Sequence, residues 1–483
     1  MAGVFGSLNE NQVLQILLHL APIDSIHLTL VSKNDIFAPK KATMEGYWEH
    51  YARRVFQLEG LHAATNADGA VGKSWGEIFQ SWHQALRSVS PANALLALRS
   101  DTRPSQHVGH RWVTVWRRIK SWLKENPSAK QIKESLRNEA ADLSALEKMG
   151  ALPSVMNCWR MVDGQDVPLD PQVASMARTV NALGEGDQWS HGLFGGYQTY
   201  DHEVCTVFLP LDAAMNITQH FCQMLRDRIP DLTENVLANK VVFAMSFNAV
   251  KVFFVDVRDG RVYVFTRKRF AALELAVPDS GATTDGFVRW FEEYGRRLQS
   301  NFYTMDYLRP EEAPLQMGIS LFPNAPPELT VCVTRGVEVR ASCIYMPEHQ
   351  AGWTYSIAIR LVGTKEERGF EQCQLVSRHW EIEEEGRHEC ERVDGDGVIG
   401  LFPILVEGGW LRNRESDPHG QYPSHGRAEG AFRYQSCSGR NGAMRGRFGG
   451  AMTFVPGTRK QPSGETFRVK VEPFRLYVPQ YMY

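Results

Sequence analysis

The sequence predicts a multidomain protein with a small α-helical region first, an α+β domain next and an all-β sandwich last. Three observations lead to this fold class. The chain has 483 residues, which is too many for one hydrophobic core. Apolar residues recur at helical spacing in residues 7–37 and 110–150, whereas later segments alternate between apolar and polar positions. The predicted units are residues 1–104, 105–305 and 328–483, with a proline-rich connector at 306–327.

The composition is that of an ordinary folded protein. Hydrophobic residues make up 43% of the chain, and the net charge of −2 predicts no affinity for nucleic acid or for an anionic membrane. The eight cysteines are scattered without a CxxC pair, which favours reduced thiols over disulfides or a zinc site. No apolar run approaches the roughly 20 residues that span a bilayer. We therefore expect a cytoplasmic and/or nuclear protein that binds no cofactor.

The first segment, residues 7–37, is predicted to form small packed helices that are too short to bury their own apolar side chains. Its features in chain order are Leu8, Ile16, Leu17, Leu20, Pro22, Asp24, Leu28 and Val31-Ser32-Lys33. This pattern resembles an F-box, whose helices dock on the Skp-type adaptor of a cullin–RING ubiquitin ligase. The resemblance implies that these positions, from Leu8 to Val31, form an adaptor-binding surface. The family usually begins with Leu-Pro, whereas Leu8 is followed here by Asn9.

Aromatic and basic stripes follow this segment, and we assign chemistry to neither. Trp48 and Trp75 lie in short aromatic-rich helices and match tryptophans that often follow an F-box. Residues 110–150 predict two helices, one closed by Pro127 and a second over about residues 128–149. Glutamates dilute the basic residues of this region, so a solvated helix face is favoured over a nucleic-acid surface.

Beyond Gly150 the sequence predicts turns and strands. Strands are expected at residues 241–245 and 250–257, a hairpin at Asp259-Gly260, and a last helix at residues 287–298. This order of elements predicts one α+β domain. Its motifs are Leu152-Pro153, Trp159-Arg160, Asp163-Gly164-Gln165, Gly195-Gly196-Tyr197 and Leu209-Pro210-Leu211. They resemble the SUKH (Smi/Knr-type) family, which implies protein binding rather than catalysis.

After the connector, short alternating segments separated by glycine and proline predict an antiparallel β-sandwich. Its motifs in chain order are Arg378-His379-Trp380-Glu381-Ile382, the glycine loop at 395–400 with Pro403, Tyr434-Gln435-Ser436, Gly442-x-Met444-x-Gly446 and Pro473-Phe474-Arg475-Leu476. These motifs resemble the ApaG domain over about residues 328–483, which implies a fibronectin type III-like sandwich. Residues 411–430 replace a short turn of that family, and their composition predicts an exposed, mobile insertion.

The 395–403 loop carries the GxGxxG pattern of a dinucleotide-binding turn in Gly395, Gly397 and Gly400. That fingerprint needs a helix directly after the last glycine, whereas Pro403 and then Gly408-Gly409 interrupt the chain. We therefore expect tight turns or close strand approach at these glycines. The three glycines and Pro403 remain a candidate contact for a ligand or a target protein.

Other chemical sites are disfavoured by the sequence. His419 and His425 lie in the predicted insertion without the four ligands of a structural zinc site, so we predict no metal. No GxSxG motif marks a hydrolase. Glutamates at 381–389 and arginines between 433 and 447 predict either solvated strand edges that resist aggregation or a bipolar surface for a charged partner.

Three hypotheses for the function follow. The leading one is a non-catalytic substrate-recognition subunit of an Skp–cullin–F-box E3 ubiquitin ligase. Such a subunit would bind the Skp-type adaptor, and through it the cullin–RING ligase, while the SUKH-like and ApaG-like domains bind an unidentified target protein. The alternatives are a non-ligase interaction scaffold with a degenerate F-box, and an ApaG-type protein that binds a nucleotide or pyrophosphate through the 395–400 loop.

Overall fold

The computed structural model describes residues 106–166, 191–200, 202–228, 237–266, 273–279, 284–308, 317–386, 389–411, 427–437 and 445–483. These parts are mostly β-sheet with few helices. The predicted N-terminal helical region, residues 1–104, lies outside the described residues. In the described ranges, no helix combines the length and the apolar character that a membrane crossing requires.

The helices of the described residues precede or flank the strands. Their bounds are α1 (Gln106–Glu125), α2 (Lys130–Ser135), α3 (Ser144–Lys148), α4 (Pro153–Met161), α5 (Leu211–Arg228), α6 (Gly286–Gln299) and α7 (Lys365–Arg368). Helix α1 buries Trp112, Trp116 and Ile119 on one face, as their helical spacing predicts.

The single helix predicted for residues 128–149 is wrong. The chain forms a 3₁₀ turn at Pro127–Ala129 and then two short helices, α2 and α3. The helix stops because Leu136 turns to an extended conformation with ψ of 123° and forms an isolated bridge with Gln165. Asp142 then accepts a hydrogen bond from the Ser144 amide at 3.0 Å, which starts the next helix.

Eight strands form the first sheet, in the spatial order β6-β5-β4-β3-β2-β1-β8-β7. All neighbours are antiparallel except β1 and β8, which are parallel. The bounds are β1 (Gly196–Thr199), β2 (His202–Phe208), β3 (Lys240–Ser246), β4 (Lys251–Asp256), β5 (Val262–Thr266), β6 (Glu274–Leu275), β7 (Thr304–Tyr307) and β8 (Met317–Ser320). The predicted strands at 241–245 and 250–257 and the Asp259-Gly260 turn between β4 and β5 are confirmed.

An aromatic core joins the helices to this sheet. Helix α6, predicted at 287–298, lays Trp290 against Phe194 and Phe243, with ring centroids 4.7 and 5.2 Å apart. On its other side Phe291 meets Trp112 of α1 at 4.9 Å. Aromatic rings therefore connect both helices to the sheet.

The predicted connector at 306–327 is not wholly a free spacer. Its residues Met317–Ser320 form strand β8, which pairs with β7 and, through Gly196↔Ser320, with β1. The proline-rich segment thus adds a strand to the first sheet before the chain enters the sandwich.

The second half of the structure is an antiparallel sandwich of two sheets, as predicted. One sheet has the order β17-β11-β10-β9, and the other has the order β16-β15-β14-β12-β18-β19, with β13 also paired to β12. The bounds are β9 (Thr330–Thr334), β10 (Val337–Tyr345), β11 (Trp353–Leu361), β12 (Cys373–Glu384), β13 (Glu391–Asp396), β14 (Ile404–Val406), β15 (Gly409–Leu411), β16 (Arg427–Glu429), β17 (Phe432–Cys437), β18 (Arg445–Pro456) and β19 (Phe467–Tyr477).

Alternating side chains fill the space between the two sheets. Tyr355 of one sheet stacks on Phe448 of the other with centroids 4.6 Å apart, and Trp380 and Phe474 flank Phe448 at 5.4 and 5.0 Å. The flanks of the predicted insertion pair with each other as β15 and β16. The middle of that insertion, residues 412–426, lies outside the described residues.

The sandwich meets the first sheet at a buried cluster of polar side chains. Glu348, between β10 and β11, has no exposed side-chain area. Its carboxylate accepts a hydrogen bond from the Tyr197 hydroxyl and lies 3.1 Å from His202 Nε2. Lys251 Nζ donates to the backbone carbonyl of Tyr483 and lies 3.5 Å from the Tyr197 hydroxyl. The two halves of the molecule therefore share a buried network of polar contacts.

Candidate functional site

The 395–403 loop is a β-hairpin turn, not a strand-to-helix turn. Val398 and Leu401 exchange backbone hydrogen bonds of 3.0 and 2.7 Å. Ile399 and Gly400 between them have φ of 43° and 78°, which is the geometry of a two-residue type I′ hairpin. The chain continues directly into strand β14. The structure therefore excludes a dinucleotide-binding turn, as the sequence predicted.

The backbone of this hairpin offers little to an anion. The Gly397 amide donates to the Val376 carbonyl at 2.9 Å. The amides of Val398 and Leu401 donate to each other's carbonyls within the hairpin. Arg378 Nη1 donates to the carbonyls of Asp396 and Gly397 at 3.1 and 2.9 Å. A phosphate site on a loop requires amides that point at the ligand. The geometry thus gives no support to a nucleotide or pyrophosphate site at this turn.

The four predicted loop residues have different structural roles. At Gly395, a Cβ would come within 2.8 Å of Arg378 Nη1. At Gly397, with φ of +54°, a Cβ would lie 2.4 Å from the carbonyl oxygen across the hairpin. Gly400, with φ of +78°, faces open space, and Pro403 is buried beneath the turn. The glycines therefore serve turns and close approach, as the sequence predicted.

This difference between the glycines gives a first prediction. Gly400→Ala should cost about 1–2 kcal/mol, which is the penalty of a left-handed conformation for a residue with a Cβ. Gly397→Ala should cost clearly more, about 3 kcal/mol or above, because the added methyl also collides with backbone. Urea unfolding of the two variants checks this prediction. The shift of the urea midpoint gives the loss of stability, provided that the m-value stays the same as in the wild type. Equal losses would contradict the described hairpin.

The Arg378-His379-Trp380-Glu381-Ile382 motif is divided between the core and the surface. Trp380 and Ile382 are buried between the two sheets, whereas Arg378 holds the hairpin. His379 lies on the outer face, with Nδ1 2.6 Å from the Asp394 carboxylate on β13. The motif thus builds the scaffold of the hairpin and fixes strand β13 to β12.

Several of the glutamates and arginines predicted as a charged surface lie on two interior strands of the larger sheet, with Glu381, Glu383 and Glu384 on β12 and Arg445 and Arg447 on β18. Glu383 of β12 is the register partner of Arg447 of β18, and Arg445 Nε lies 3.9 Å from the Glu385 carboxylate. These residues line a cleft of about 1240 Å³ beside α6, whereas Arg433 lies on the other sheet. Opposite charges on neighbouring strands stabilise each other. At these positions opposite charges therefore face each other on neighbouring strands, whereas Arg433 lies on the edge strand β17.

Two sets of predicted residues fall outside the described part of the chain. The adaptor-binding residues are all in the first set: Leu8, Ile16, Leu17, Leu20, Pro22, Asp24, Leu28 and Val31. The second set is His419 and His425 of the insertion. Within the described ranges, no group of three His, Cys, Asp or Glu residues is arranged to hold a metal ion.

Sequence analysis missed one contact at this hairpin. The Arg459 guanidinium, from the turn between β18 and β19, lies over the Phe402 ring at 4.0 Å from its centroid. Phe402 was visible inside the glycine loop, but no spacing rule connects it to an arginine that far along the chain. Only the antiparallel pairing of β12 with both β14 and β18 brings them together.

The chain was compared with known proteins and families. Residues 346–411 match the family model of the ApaG domain. The chain is 29% identical over 497 residues to F-box protein SKIP16 of Arabidopsis thaliana, with 97% of each protein covered. It is 28% identical over 142 residues to F-box only protein 3 of Homo sapiens, covering 29% of this chain and 26% of that protein.

A shorter match is to a bacterial protein. Protein ApaG of Pseudomonas paraeruginosa is 38% identical over 72 residues, which cover 15% of this chain and 56% of the bacterial protein. The chain thus matches the ApaG domain within its sandwich and is similar to an F-box protein along nearly its whole length.

Proposed function

We propose that this chain is the substrate-recognition subunit of an Skp–cullin–F-box E3 ubiquitin ligase. The observation that carries the proposal is the similarity to an F-box protein over 97% of the chain. F-box helices dock on an Skp-type adaptor, and the positions from Leu8 to Val31 carry the matching apolar pattern.

In this proposal the chain has two binding regions. Residues 7–33 bind the Skp-type adaptor and, through it, the cullin–RING ligase. The middle domain, with its SUKH-like motifs, and the ApaG domain present a target protein. We expect the complex in the cytoplasm and/or nucleus, with neither nucleic acid nor membrane as a partner.

The proposal assigns no catalytic residue to the chain, because the RING-bound conjugating enzyme transfers ubiquitin. The chemistry of three buried thiols is in keeping with this role. Burial raises the pKa of Cys158 well above its ordinary value, and it raises the pKa of Cys205 and of Cys373 to about 12. These thiols are protonated near neutral pH and make poor nucleophiles.

Capture of the adaptor by the full-length chain tests the proposal. Purified wild-type protein should retain an Skp-type adaptor, and Leu17→Asp or Leu20→Asp should weaken capture at least about 100-fold, since each buries a charge in an apolar contact. Val333→Asp is a matched control, because Val333 is 54% exposed on strand β9 of the sandwich.

Three outcomes of that experiment have distinct meanings. Loss of capture in the Leu17 and Leu20 variants alone supports the ligase subunit. A wild-type chain that folds but retains no adaptor would sink the proposal and favour a scaffold with a degenerate F-box, for which Asn9 is the sequence support. Equal capture by wild type and both leucine variants would place the adaptor contact elsewhere on the chain.

A further inference from the structure

The contact between Phe402 and Arg459 forms a small surface at one end of the sandwich. The guanidinium lies 4.0 Å from the ring centroid, Arg459 is exposed and Phe402 is partly exposed. Ile399 occupies the tip of the same hairpin and is partly exposed, and the Phe402 ring packs closely on Gly397, where a Cβ would come within 3.0 Å of a ring carbon. We call Ile399, Phe402 and Arg459 together the Phe402 platform.

A buried amide fixes the two main members of the platform. Gln374 of β12 is 1% exposed. Its Nε2 donates to the Phe402 carbonyl at 3.0 Å, and its Oε1 accepts a hydrogen bond from the Arg459 amide at 2.7 Å. The Gln374 side chain therefore bonds the backbone of both loops, at Phe402 and at Arg459, and fixes the distance between them. A buried amide that is hydrogen-bonded at both its nitrogen and its oxygen is a rigid support.

The turn that carries Arg459 is also held in place. The Gly457 amide donates to the Gln372 carbonyl at 2.9 Å, and the Thr458 amide donates to the Gln461 carbonyl at 3.1 Å. The Thr458 hydroxyl accepts a hydrogen bond from the Gln461 amide at 3.0 Å. Because the turn is closed on itself, little conformational entropy remains to be lost when a partner binds Arg459.

The charge of Arg459 is not neutralised within the described residues. Its guanidinium forms no ion pair there within 4.0 Å, and its planar face is occupied by the Phe402 ring. Stacking leaves the edge N–H groups free, and these groups bind a carboxylate in a two-point contact. Arginine on an aromatic ring is also a typical centre of binding energy in protein interfaces.

Ile399 packs in part against the hydrophobic core, but its backbone conformation is one that the residue does not favour. Its φ of 43° is a left-handed conformation, which is costly for a β-branched residue. Asparagine or glycine would occupy this type I′ position at lower cost. Backbone strain of this kind is typically retained where a side chain serves a function.

We propose that the Phe402 platform binds an acidic segment of a partner protein, with a carboxylate on Arg459 and an adjoining apolar side chain against Phe402 and Ile399. The inference rests on the proposed function, in which the ApaG domain contacts the target. A short peptide fits one guanidinium flanked by two apolar side chains. A nucleic acid would need several phosphate contacts in a row for comparable affinity.

A labelled peptide tests this surface on the full-length chain. The probe is a fluorescein-labelled peptide of alternating glutamate and leucine, and binding is followed by fluorescence anisotropy. Wild type should bind with a Kd below about 1 mM, and Arg459→Ala should weaken binding about tenfold or more. Arg459→Lys should also weaken it, because an ammonium lacks the planar two-point contact. Arg468→Ala on β19 is the matched control, an exposed arginine of the same sandwich.

Ile399→Gly separates binding from folding. The variant should unfold at higher urea concentration than wild type, because the strain at Ile399 is relieved, and should nevertheless bind the peptide several-fold more weakly. A gain in stability with unchanged binding would remove Ile399 from the surface and overturn the proposal as stated. So would equal binding by the Arg459→Ala and Arg468→Ala variants, or absence of binding to wild type at millimolar peptide.

Two further measurements distinguish a peptide ligand from a nucleic acid and separate this proposal from the proposed ligase function. Single-stranded oligothymidylate that binds through Arg459 more tightly than the peptide would overturn the proposal in favour of a phosphate surface. Leu17→Asp should lose the adaptor and keep the peptide, whereas Arg459→Ala should keep the adaptor and lose the peptide. A failure of the ligase proposal would therefore appear in adaptor capture, whereas a failure of the platform proposal would appear in peptide binding.

Discussion

Replacing Glu348 with alanine is expected to lower the free energy of unfolding by roughly 3–5 kcal/mol, since the change leaves a buried lysine without its counter-charge. The Glu348 side chain has no exposed area and lies at the junction of the sandwich with the first sheet. Its carboxylate accepts a hydrogen bond from the Tyr197 hydroxyl. Lys251 is 1% exposed on strand β4. Truncation of Glu348 would remove a carboxylate that favours the charged form of Lys251.

The pH dependence of this effect follows from the two pKa shifts. Burial alone would raise the pKa of the Glu348 carboxyl, but Lys251, His202 and Tyr197 outweigh it and hold that pKa below its ordinary value. The stabilisation from Glu348 is therefore present above the pKa of an unfolded glutamate and is lost as the pH falls through the folded pKa.

The pKa of Lys251 is also lowered in the folded protein, so its linkage to stability has the same sign as that of Glu348, although here burial is the cause. Burial lowers the pKa of its ammonium, and Glu348 opposes that shift. A lowered folded pKa means that the unfolded chain binds more protons, so the cost of burying this lysine falls as the pH rises through the folded pKa. The Glu348→Ala variant should therefore regain part of its lost stability as the pH rises toward the ordinary pKa of lysine, about 10.4.

Urea unfolding at several pH values measures the effect, and two variants serve as controls. Glu348→Gln keeps the hydrogen-bonding shape and should lose less than Glu348→Ala. The apolar pair Glu348→Leu with Lys251→Met should recover most of the stability, because replacing both charges removes the unpaired ion. A loss below about 1 kcal/mol for Glu348→Ala, or no recovery in the double variant, would show that the two charges are not coupled in the folded protein.

Local patterns in the sequence predicted tight turns in the 395–403 loop, but neither the hairpin nor its surroundings. Pro403 and the glycine pair after it excluded a helix, and the structure has a type I′ turn there. The GxGxxG pattern does not identify a dinucleotide-binding turn by itself, because any turn with a positive φ also favours glycine. What the pattern could not show is that Ile399, with no glycine freedom, takes the first left-handed position.

The support of the Phe402 platform could not be predicted for a different reason. Gln374, Phe402 and Arg459 come from three strand ends that meet only when β12 pairs with β14 on one side and β18 on the other. Short-range spacing carries no information on such pairing. Glu348 is similar, because a glutamate after proline in a loop gives no sign that a lysine nearly 100 residues earlier will become its partner.

Tertiary contacts also overrode a sound local prediction in residues 128–149. The segment has helical composition throughout, yet Leu136 leaves the helix to bridge Gln165. Gln165 in turn accepts hydrogen bonds from the Leu193 and Phe208 amides at 2.8 and 3.1 Å. Helix propensity is a weak preference, and pairing of these backbone groups outweighs it.

Trp290→Ala should be comparably destabilising, at about 3–5 kcal/mol, because it removes a large side chain from a closely packed core. Trp290 is fully buried, and its indole Nε1 donates to the Met482 carbonyl at 2.8 Å. Its ring lies 4.7 Å from that of Tyr483, and the Tyr483 hydroxyl donates to the Trp290 carbonyl at 2.9 Å. Residues that follow the sandwich thus complete the core beneath α6.

This arrangement predicts coupling between positions at opposite ends of the described fold. Tyr483→Ala alone should cost about 2–4 kcal/mol, whereas the exposed Tyr307→Ala should change stability by less than about 0.5 kcal/mol. In a double-mutant cycle measured by urea unfolding, Trp290→Ala and Tyr483→Ala should show an interaction of about 1 kcal/mol or more, because the first change removes the partner of the second. Strict additivity would mean that the last residues merely cover the α+β core. Coupling would mean that the sandwich and that core unfold as one cooperative unit, so that a partner bound at the sandwich also stabilises the first sheet.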